Sequence, residues 1–271
     1  AGRVPVQRVL SKDADFSREE EVAALGGRVG KGGAWLISAA RTPERSEPAQ
    51  QNMLINISIA RNLAGLFAAF SPSYVIFLSS IDVYGRSGLQ LPLNEKSPLR
   101  PESYYAVSKC ASEWILSNAC REHRIPLTIL RLPGVYGPGD PHRGPVRSFI
   151  DAAVRNVPAD IHGDGEQRRD LLYVRDVPRI VESLYAERVP GVFNAVTGCS
   201  VSLNRMLELV EKAAETRLEI RYHKESAQID IAFEEPRLLR ALPLLELTAI
   251  EEGIRETYFA ERDAPRAASL P

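Results

Sequence analysis

The feature that most constrains the fold is an alternation, along the chain, of short apolar runs with longer segments of helical periodicity. The short runs are rich in β-branched and aromatic residues, as buried strands are. They lie at residues 4–10, 35–38, 74–78 and 127–131. The helical segments lie at residues 18–25, 52–70, 104–121 and 201–216. This order predicts βαβ units around a parallel sheet.

Composition narrows the classes of function. The 271 residues include 34 Lys and Arg against 35 Asp and Glu, so the chain has no basic field that would attract nucleic acid. Its three cysteines form no CxxC pair, and its four histidines lack metal-ligand spacing. The longest apolar run, residues 63–70, is far shorter than the roughly 20 residues of a membrane span. We therefore expect a cytoplasmic protein without a nucleic-acid, membrane or metal partner.

The pair that carries chemistry is Tyr105 and Lys109, a phenol and an amine four residues apart. On a helix these side chains share a face and lie about 6 Å apart, whereas Tyr104 points off that face. A cationic lysine stabilises the phenolate and lowers the tyrosine pKa from about 10, which makes the phenol a usable acid or base near neutral pH. In isolation, the same spacing is also that of an ordinary surface pair.

Two further segments are predicted to lie close to the Tyr105 and Lys109 pair. The run at 74–78 leads into Ser79, Ser80 and Asp82, so hydroxyls follow a parallel strand at its carboxyl end, where open α/β sheets bind ligands. The run at 127–131 delivers residues 132–139 to the same end of the sheet. Asp82 is there either a catalytic acid or a carboxylate that caps the loop.

Together these motifs resemble the extended short-chain dehydrogenase/reductase family, the NAD(P)-dependent epimerases and dehydratases of nucleotide sugars. The matching segments follow the family's order, at residues 36–40, 56–67, 79–85, 105–109, 131–139 and 163–177. The resemblance covers roughly residues 10 to 258. It implies a doubly wound Rossmann-type α/β fold with NAD or NADP as cofactor. The implied nucleotide-binding domain is 1–135 and 177–216, the smaller discontinuous C-terminal substrate domain is 136–176 and 217–258, and 259–271 is a tail.

The resemblance also implies a role for each site residue. Tyr105 is similar to the catalytic acid/base, Lys109 to the residue that binds the nicotinamide ribose, and Ser80 to the hydroxyl that binds the reacting oxygen. The implied cofactor contacts are Ala39, Ala40, Tyr105, Lys109 and Pro133, and the implied substrate contacts are Ser80, Asp82, Gly134 and Arg169. Arg169 matches the arginine that reaches the nucleotide diphosphate. The planar guanidinium suits this role because it can donate two parallel hydrogen bonds to phosphate oxygens. The alternative is an ion pair with Asp170 or Asp176.

The chain departs from the family at two places. The family opens with a strand and a glycine-rich turn that binds the pyrophosphate, and residues 1–25 contain no such turn. The glycine-rich stretch 26–33 is not a substitute, because it precedes a strand, where the fingerprint follows one and opens a helix. We therefore expect that the first β-α unit is missing from the chain. The second departure is Gly134, where many members carry an asparagine that touches the sugar nucleotide.

The expected function is hydride transfer at a carbinol or ketone carbon of a nucleotide-linked sugar, in an epimerase or ketoreductase. Dehydration is an alternative, weakened because Asp82 is the only acid in the active-site loop. The other alternative is a non-catalytic relative with a degenerate cofactor site. The missing glycine turn favours that alternative, and the intact set Ser80, Tyr105 and Lys109 opposes it.

The helices predicted at 52–70 and 104–121 carry more apolar residues than one sheet-facing stripe uses. The residues concerned are Leu63, Leu66, Phe67, Trp114, Ile115 and Ala119. The resemblance implies that these helices pair across a two-fold axis, and we expect a homodimer built on them. The alternative is that the side chains pack beneath their own sheet or against each other.

Overall fold

The computed structural model describes residues 7, 9–10, 13–25, 30–42, 48–141, 144–224 and 230–264. Its helices are α1 (Glu19–Ala24), α2 (Ala49–Gly65), α3 (Phe67–Phe70), α4 (Tyr104–Glu122), α5 (Pro145–Arg155), α6 (Asp176–Glu187), α7 (Leu203–Ala214), α8 (Arg237–Ala241) and α9 (Ile250–Asp263), with a 3-10 helix at Ile81–Tyr84. Its strands are β1 (Ala34–Ile37), β2 (Tyr74–Ser80), β3 (Leu127–Leu132), β4 (Gly134–Tyr136), β5 (Ala159–His162), β6 (Arg168–Arg169), β7 (Leu171–Tyr173), β8 (Gly191–Asn194), β9 (Val201–Ser202) and β10 (Ile220–His223). Most of the strand predicted at 4–10 lies outside the described residues.

The first of two compact units comprises Ala1–Gly85, Ser97–Arg131 and Tyr185–Phe193. Its sheet has the order β1-β2-β3-β8, and β1 runs parallel to β2. Helices α2 and α4 cover the sheet with a shared apolar core. The predicted parallel α/β architecture is confirmed.

Two of the residues predicted to face another protein belong instead to this core. Leu63 on α2 is 8% exposed and Phe67 on α3 is fully buried, because both side chains turn toward the sheet, where Phe67 packs on Trp35. Leu66, Ile115 and Ala119 are partly buried against the same core. Trp114, at 65% exposed, is the member of the set that points outward.

One stretch of the described chain, Ala49–Phe70, is long and apolar enough to span a membrane by length and composition. Its inward side carries core residues such as Ile59 and Phe67. It also buries Asn56, whose side-chain amide is fully engaged with neighbouring groups. One side of this stretch thus packs in the core of its unit, and its hydropathy is weak support for a membrane span.

The second unit comprises Arg86–Lys96, Leu132–Leu184 and Asn194–Pro271, and its core joins α5, α7 and α9. Residues 194–216 were expected in the nucleotide-binding domain, but α7 buries Met206 and Val210 in this second core. Residues 177–184 also fall in the second unit. The tail expected from 259 begins later, because α9 continues to Asp263 and Glu261 pairs with Arg147 at 2.8 Å.

Candidate active site

The end of β2 holds two adjacent serines in different environments. Ser79 is buried and donates a hydrogen bond to Oε1 of Glu113 at 2.6 Å. Ser80 caps the following 3-10 helix, where its Oγ accepts a hydrogen bond from the Asp82 amide at 3.1 Å. Gly85, with φ +75°, ends this helix so close to the Arg100 carbonyl that a side chain would overlap it. The loop that carries Ser80 and Asp82 is therefore a short ordered turn.

Helix α4 presents the predicted tyrosine and lysine. Ser103 caps its N-terminus, where the Ser103 Oγ accepts a hydrogen bond from the Ala106 amide at 3.1 Å. The Lys109 Nζ atom lies 5.7 Å from the centre of the Tyr105 ring, while Tyr104 is 50% exposed. Lys109 is only 4% exposed, so this pair is not an ordinary surface pair.

Lys109 also reaches the end of β2. Its Nζ donates to the Leu78 carbonyl at 2.8 Å, two residues before Ser80, and lies 5.0 Å from the centre of the Phe77 ring. Burial lowers the pKa of Lys109 to about 8, although the nearby charge of Glu113 opposes the shift. The lysine is thus a cation at neutral pH whose proton is held less tightly than usual.

Ala39 and Ala40 line a small cavity that also touches Lys109, Asn56 and Phe77. The loop after β1 is held there because the Asn56 amide accepts from the Arg41 N–H at 2.7 Å and donates to the Arg41 carbonyl at 3.0 Å. The cavity measures only about 10 Å³, which is room for about one water molecule, and the Lys109 ammonium has donors beyond the one used on Leu78. A lysine ammonium with donors to spare is the type of group that binds ribose hydroxyls, so the fit to NAD(P) rests on this donor chemistry.

The pyrophosphate of such a cofactor needs a different structure, a glycine-rich turn between a strand and a helix. Within the described segments no such unit occurs. Gly30, Gly32 and Gly33 form the turn that leads into β1, as the sequence predicted, and residues 26–29 lie outside the described segments.

A buried ion pair behind the loop was not predicted. Arg131 on β3 donates from Nε and Nη2 to the two carboxylate oxygens of Glu113, at 3.0 and 2.7 Å, and both side chains are about 95% buried. Burial opposes the charge of Arg131, but the hydrogen bonds and charge of Glu113 outweigh it and raise the arginine pKa. The sequence does contain a signal for this pair. Glu113 and Arg131 are charged residues that stand in otherwise apolar segments, one in the helix and one in the strand.

Three predicted site residues belong to the second unit. Pro133 is buried, and Gly134 is exposed at the start of β4, where it pairs with Leu171 of β7. A Cβ atom at Gly134 would lie 2.8 Å from Leu171 Cδ2, so an asparagine there would have to displace that leucine. Leu171 Cδ2 is the end of a flexible side chain, so this contact alone does not require a glycine at position 134.

Arg169 is half-buried on β6, and its Nη1 donates to the Arg168 carbonyl at 2.9 Å. Burial and the charge of Arg86 lower the pKa of the Arg169 guanidinium, and the charge of Asp230 opposes the shift. The two carboxylates considered as ion-pair partners of Arg169 bond to other groups. Asp170 accepts hydrogen bonds from the Thr197 and Gly198 amides, and Asp176 accepts them from Thr248 and Arg179.

Comparison with known proteins connects this geometry to a family. A sequence profile described as the NAD dependent epimerase/dehydratase family matches residues 13–195. The chain belongs to this family. The resemblance noted in the sequence is therefore confirmed, and with it an enzyme family that uses NAD.

The relatives of this family member carry out different reactions by name. It is 33% identical over 146 residues to mouse dTDP-D-glucose 4,6-dehydratase, covering 53% of the chain and 41% of the relative. It is 33% identical over 142 residues to Escherichia coli dTDP-4-dehydro-6-deoxyglucose reductase, covering 51% of the chain and 44% of the relative. The chain thus spans less than half the length of these two relatives.

A solved structure similar to this family member is the UDP-N-acetylglucosamine 4-epimerase of Methanobrevibacter ruminantium, in complex with UDP-N-acetylmuramic acid. The TM-score is 0.78 at 25% identity, over 92% of the chain and 80% of the epimerase. The similarity extends beyond the segment matched by the family profile and supports the α/β fold over most of the chain.

Proposed function

We propose that the protein is an NAD(P)-dependent epimerase or ketoreductase of a nucleotide-linked sugar. The observation that carries this proposal is the buried ammonium of Lys109, which lies 5.7 Å from the Tyr105 ring and binds the Leu78 carbonyl near Ser80. Burying a lysine costs free energy, and a purely structural module gains nothing from that cost. The names of the relatives, which act on dTDP- and UDP-linked sugars, support the substrate class.

Each side chain has one task in this proposal. NAD(P), when bound, supplies the hydride acceptor or donor. Tyr105 takes the proton from the substrate hydroxyl, or returns it, and the Lys109 cation stabilises the phenolate. The Ser80 hydroxyl accepts one bond from the Asp82 amide and keeps its own proton to donate to the reacting sugar oxygen.

A dehydratase is the second candidate. Asp82 lies in the 3-10 helix two residues after Ser80, where an acid could assist loss of water, and the mouse relative is a dehydratase by name. Incubation of the enzyme with NAD(P)⁺ or NAD(P)H and a panel of nucleoside diphosphate hexoses and keto-hexoses, followed by proton NMR, separates the candidates. We expect an epimer, or a reduced product from a keto-sugar. A keto-deoxy product would assign the dehydratase instead, and no turnover across the panel would favour the non-catalytic alternative.

Arg169 is proposed to bind the substrate diphosphate, in a second unit that serves as the sugar-nucleotide domain. Replacing it with alanine should raise the KM for the sugar nucleotide about 10-fold or more, because a charge-assisted bond to phosphate is lost, and leave the KM for NAD(P) nearly unchanged. Arg168→Ala is the matched control, since this neighbour is exposed and donates to the Ser200 carbonyl. A rise confined to the cofactor KM would contradict the assignment.

We propose a homodimer built on α2 and α4. Large apolar side chains are exposed on both helices: Trp114 and Tyr104 on α4 are 65 and 50% exposed, and Leu54 on α2 is 48% exposed. Exposed apolar surface of this kind marks a site of protein contact. Light scattering should give twice the chain mass for the parent and a monomer for Trp114→Glu. Leu244→Glu, at a 95% exposed leucine of the second unit, should remain dimeric. A monomeric parent at micromolar concentration would refute the dimer.

A cytoplasmic location is proposed from the cysteines. All three are free thiols, as is usual in a reducing compartment. Burial raises the pKa of Cys110 to about 11 and that of Cys120 to about 12, so neither is a ready thiolate. Cell fractionation tests the location directly, and recovery of the protein from a secreted fraction would contradict it.

A further inference from the structure

The buried pair of Glu113 and Arg131 binds the chain on both sides of Ser80. On the upstream side, Ser79 donates to Glu113 Oε1 at 2.6 Å. On the downstream side, Arg131 Nη1 donates to the Tyr84 hydroxyl at 2.8 Å, and the guanidinium lies 5.0 Å from the centre of the Tyr84 ring. The four residues between these anchors, 80–83, include Ser80 and Asp82.

The same pair also reaches the helix of the tyrosine and lysine. Glu113 lies on α4, one turn after Lys109 and two turns after Tyr105. Arg131 lies on β3, so the pair connects the end of β2, the 3-10 helix, α4 and β3 within the first unit. All four side chains of this network, Ser79, Tyr84, Glu113 and Arg131, are buried.

We propose that Glu113 and Arg131 are positioning residues for the reaction, which hold the Ser80 hydroxyl at a fixed place relative to Tyr105 and Lys109. This inference rests on the proposed function, because it assumes that Ser80 binds the reacting oxygen. The physical reason is that a hydroxyl aids catalysis only when its position is set in advance, and a misplacement of about 1 Å can cost about 100-fold in rate.

Stability alone is a poor explanation of this arrangement. A buried ion pair recovers its desolvation cost only with good geometry, and well-packed apolar residues often stabilise a fold as well or better. Here the carboxylate accepts three hydrogen bonds and the guanidinium is shared with a tyrosine, so the orientation of every group is determined. That degree of orientation is what a positioning role requires.

The test uses a mild variant and a matched control in the active enzyme. Tyr84→Phe removes one acceptor of Arg131 and should lower kcat about 10-fold, with the KM for the sugar nucleotide within about 3-fold of the parent. Tyr74→Phe removes a buried tyrosine hydroxyl of the same unit, bonded to Thr128 at 2.6 Å and away from this loop, and should leave kcat unchanged. Ser79→Ala, which removes the upstream anchor, makes the same comparison if Tyr84→Phe does not fold.

A double-mutant cycle with Ser80→Ala separates positioning from stability. If the network acts through Ser80, adding Tyr84→Phe to Ser80→Ala should change kcat less than about 2-fold, because the hydroxyl to be positioned is gone. A full additional loss in that background, or an equal loss in Tyr74→Phe, would overturn the positioning proposal while the proposed function stands. A Ser80→Ala enzyme with the kcat of the parent would overturn the role of Ser80 itself, and the positioning proposal with it.

Discussion

Replacing Tyr105 with phenylalanine is expected to lower kcat by about 100- to 10,000-fold, because the change removes only the proton that the substrate exchanges. Phenylalanine keeps the ring that lies 5.7 Å from the Lys109 ammonium, so local packing should be preserved. Calorimetry should therefore find the affinity for the sugar nucleotide nearly unchanged. Steady-state kinetics with saturating NAD(P) measures the loss.

Tyr104→Phe is the control for this substitution. Tyr104 precedes Tyr105 on the same helix but is 50% exposed, and the variant should turn over at the parent rate. If Tyr105→Phe keeps the parent kcat, or if Tyr104→Phe shows the larger loss, then the assignment of the acid/base to Tyr105 is wrong.

Lys109→Met is expected to lower kcat at least about 100-fold and to raise the melting temperature at the same time. Activity falls because the cation beside Tyr105 is lost. Stability rises because lowering the Lys109 pKa from 10.5 to about 8 corresponds to roughly 3 kcal/mol of destabilisation, of which the lost hydrogen bond to Leu78 offsets about 1 kcal/mol. Gain of stability with loss of activity is the pattern of a functional buried charge.

The stability difference should depend on pH in a defined direction. The folded state holds the Lys109 proton less tightly than the unfolded state, so the cost of the lysine is present in full below about pH 8 and shrinks as the pH rises toward 10.5. Thermal unfolding of the parent and of Lys109→Met at pH 7 and pH 9.5 should therefore show a larger gap at pH 7.

Lys96→Met is the control, because Lys96 is exposed and its replacement should change neither kcat nor melting temperature. A Lys109→Met protein that is less stable than the parent at pH 7, with a gap independent of pH, would contradict the buried-charge account of this lysine.

Local pattern was enough to predict the elements that carry the candidate site. The helix expected at 104–121 is observed at Tyr104–Glu122, and the strand expected at 127–131 is observed at Leu127–Leu132. These predictions rest on spacings within a few residues, which backbone geometry converts directly into a shared face. The strand expected at 74–78 continues through Ser79 and Ser80, and the hydroxyls of these two residues bond to α4 and to the following 3-10 helix.

What the sequence determined by itself is the order of the strands and helices that carry the candidate site, and the placement of Tyr105 and Lys109 on one helical face. Both follow from the periodicity of apolar residues along the chain. Only the tertiary structure decided that Ser79 turns inward while Ser80 caps a turn, that Leu63 and Phe67 face the sheet, and that α7 packs in the second unit. It also decided that Glu113 meets Arg131. Those contacts join residues far apart in the chain, and their free energy depends on burial, which a local pattern does not encode.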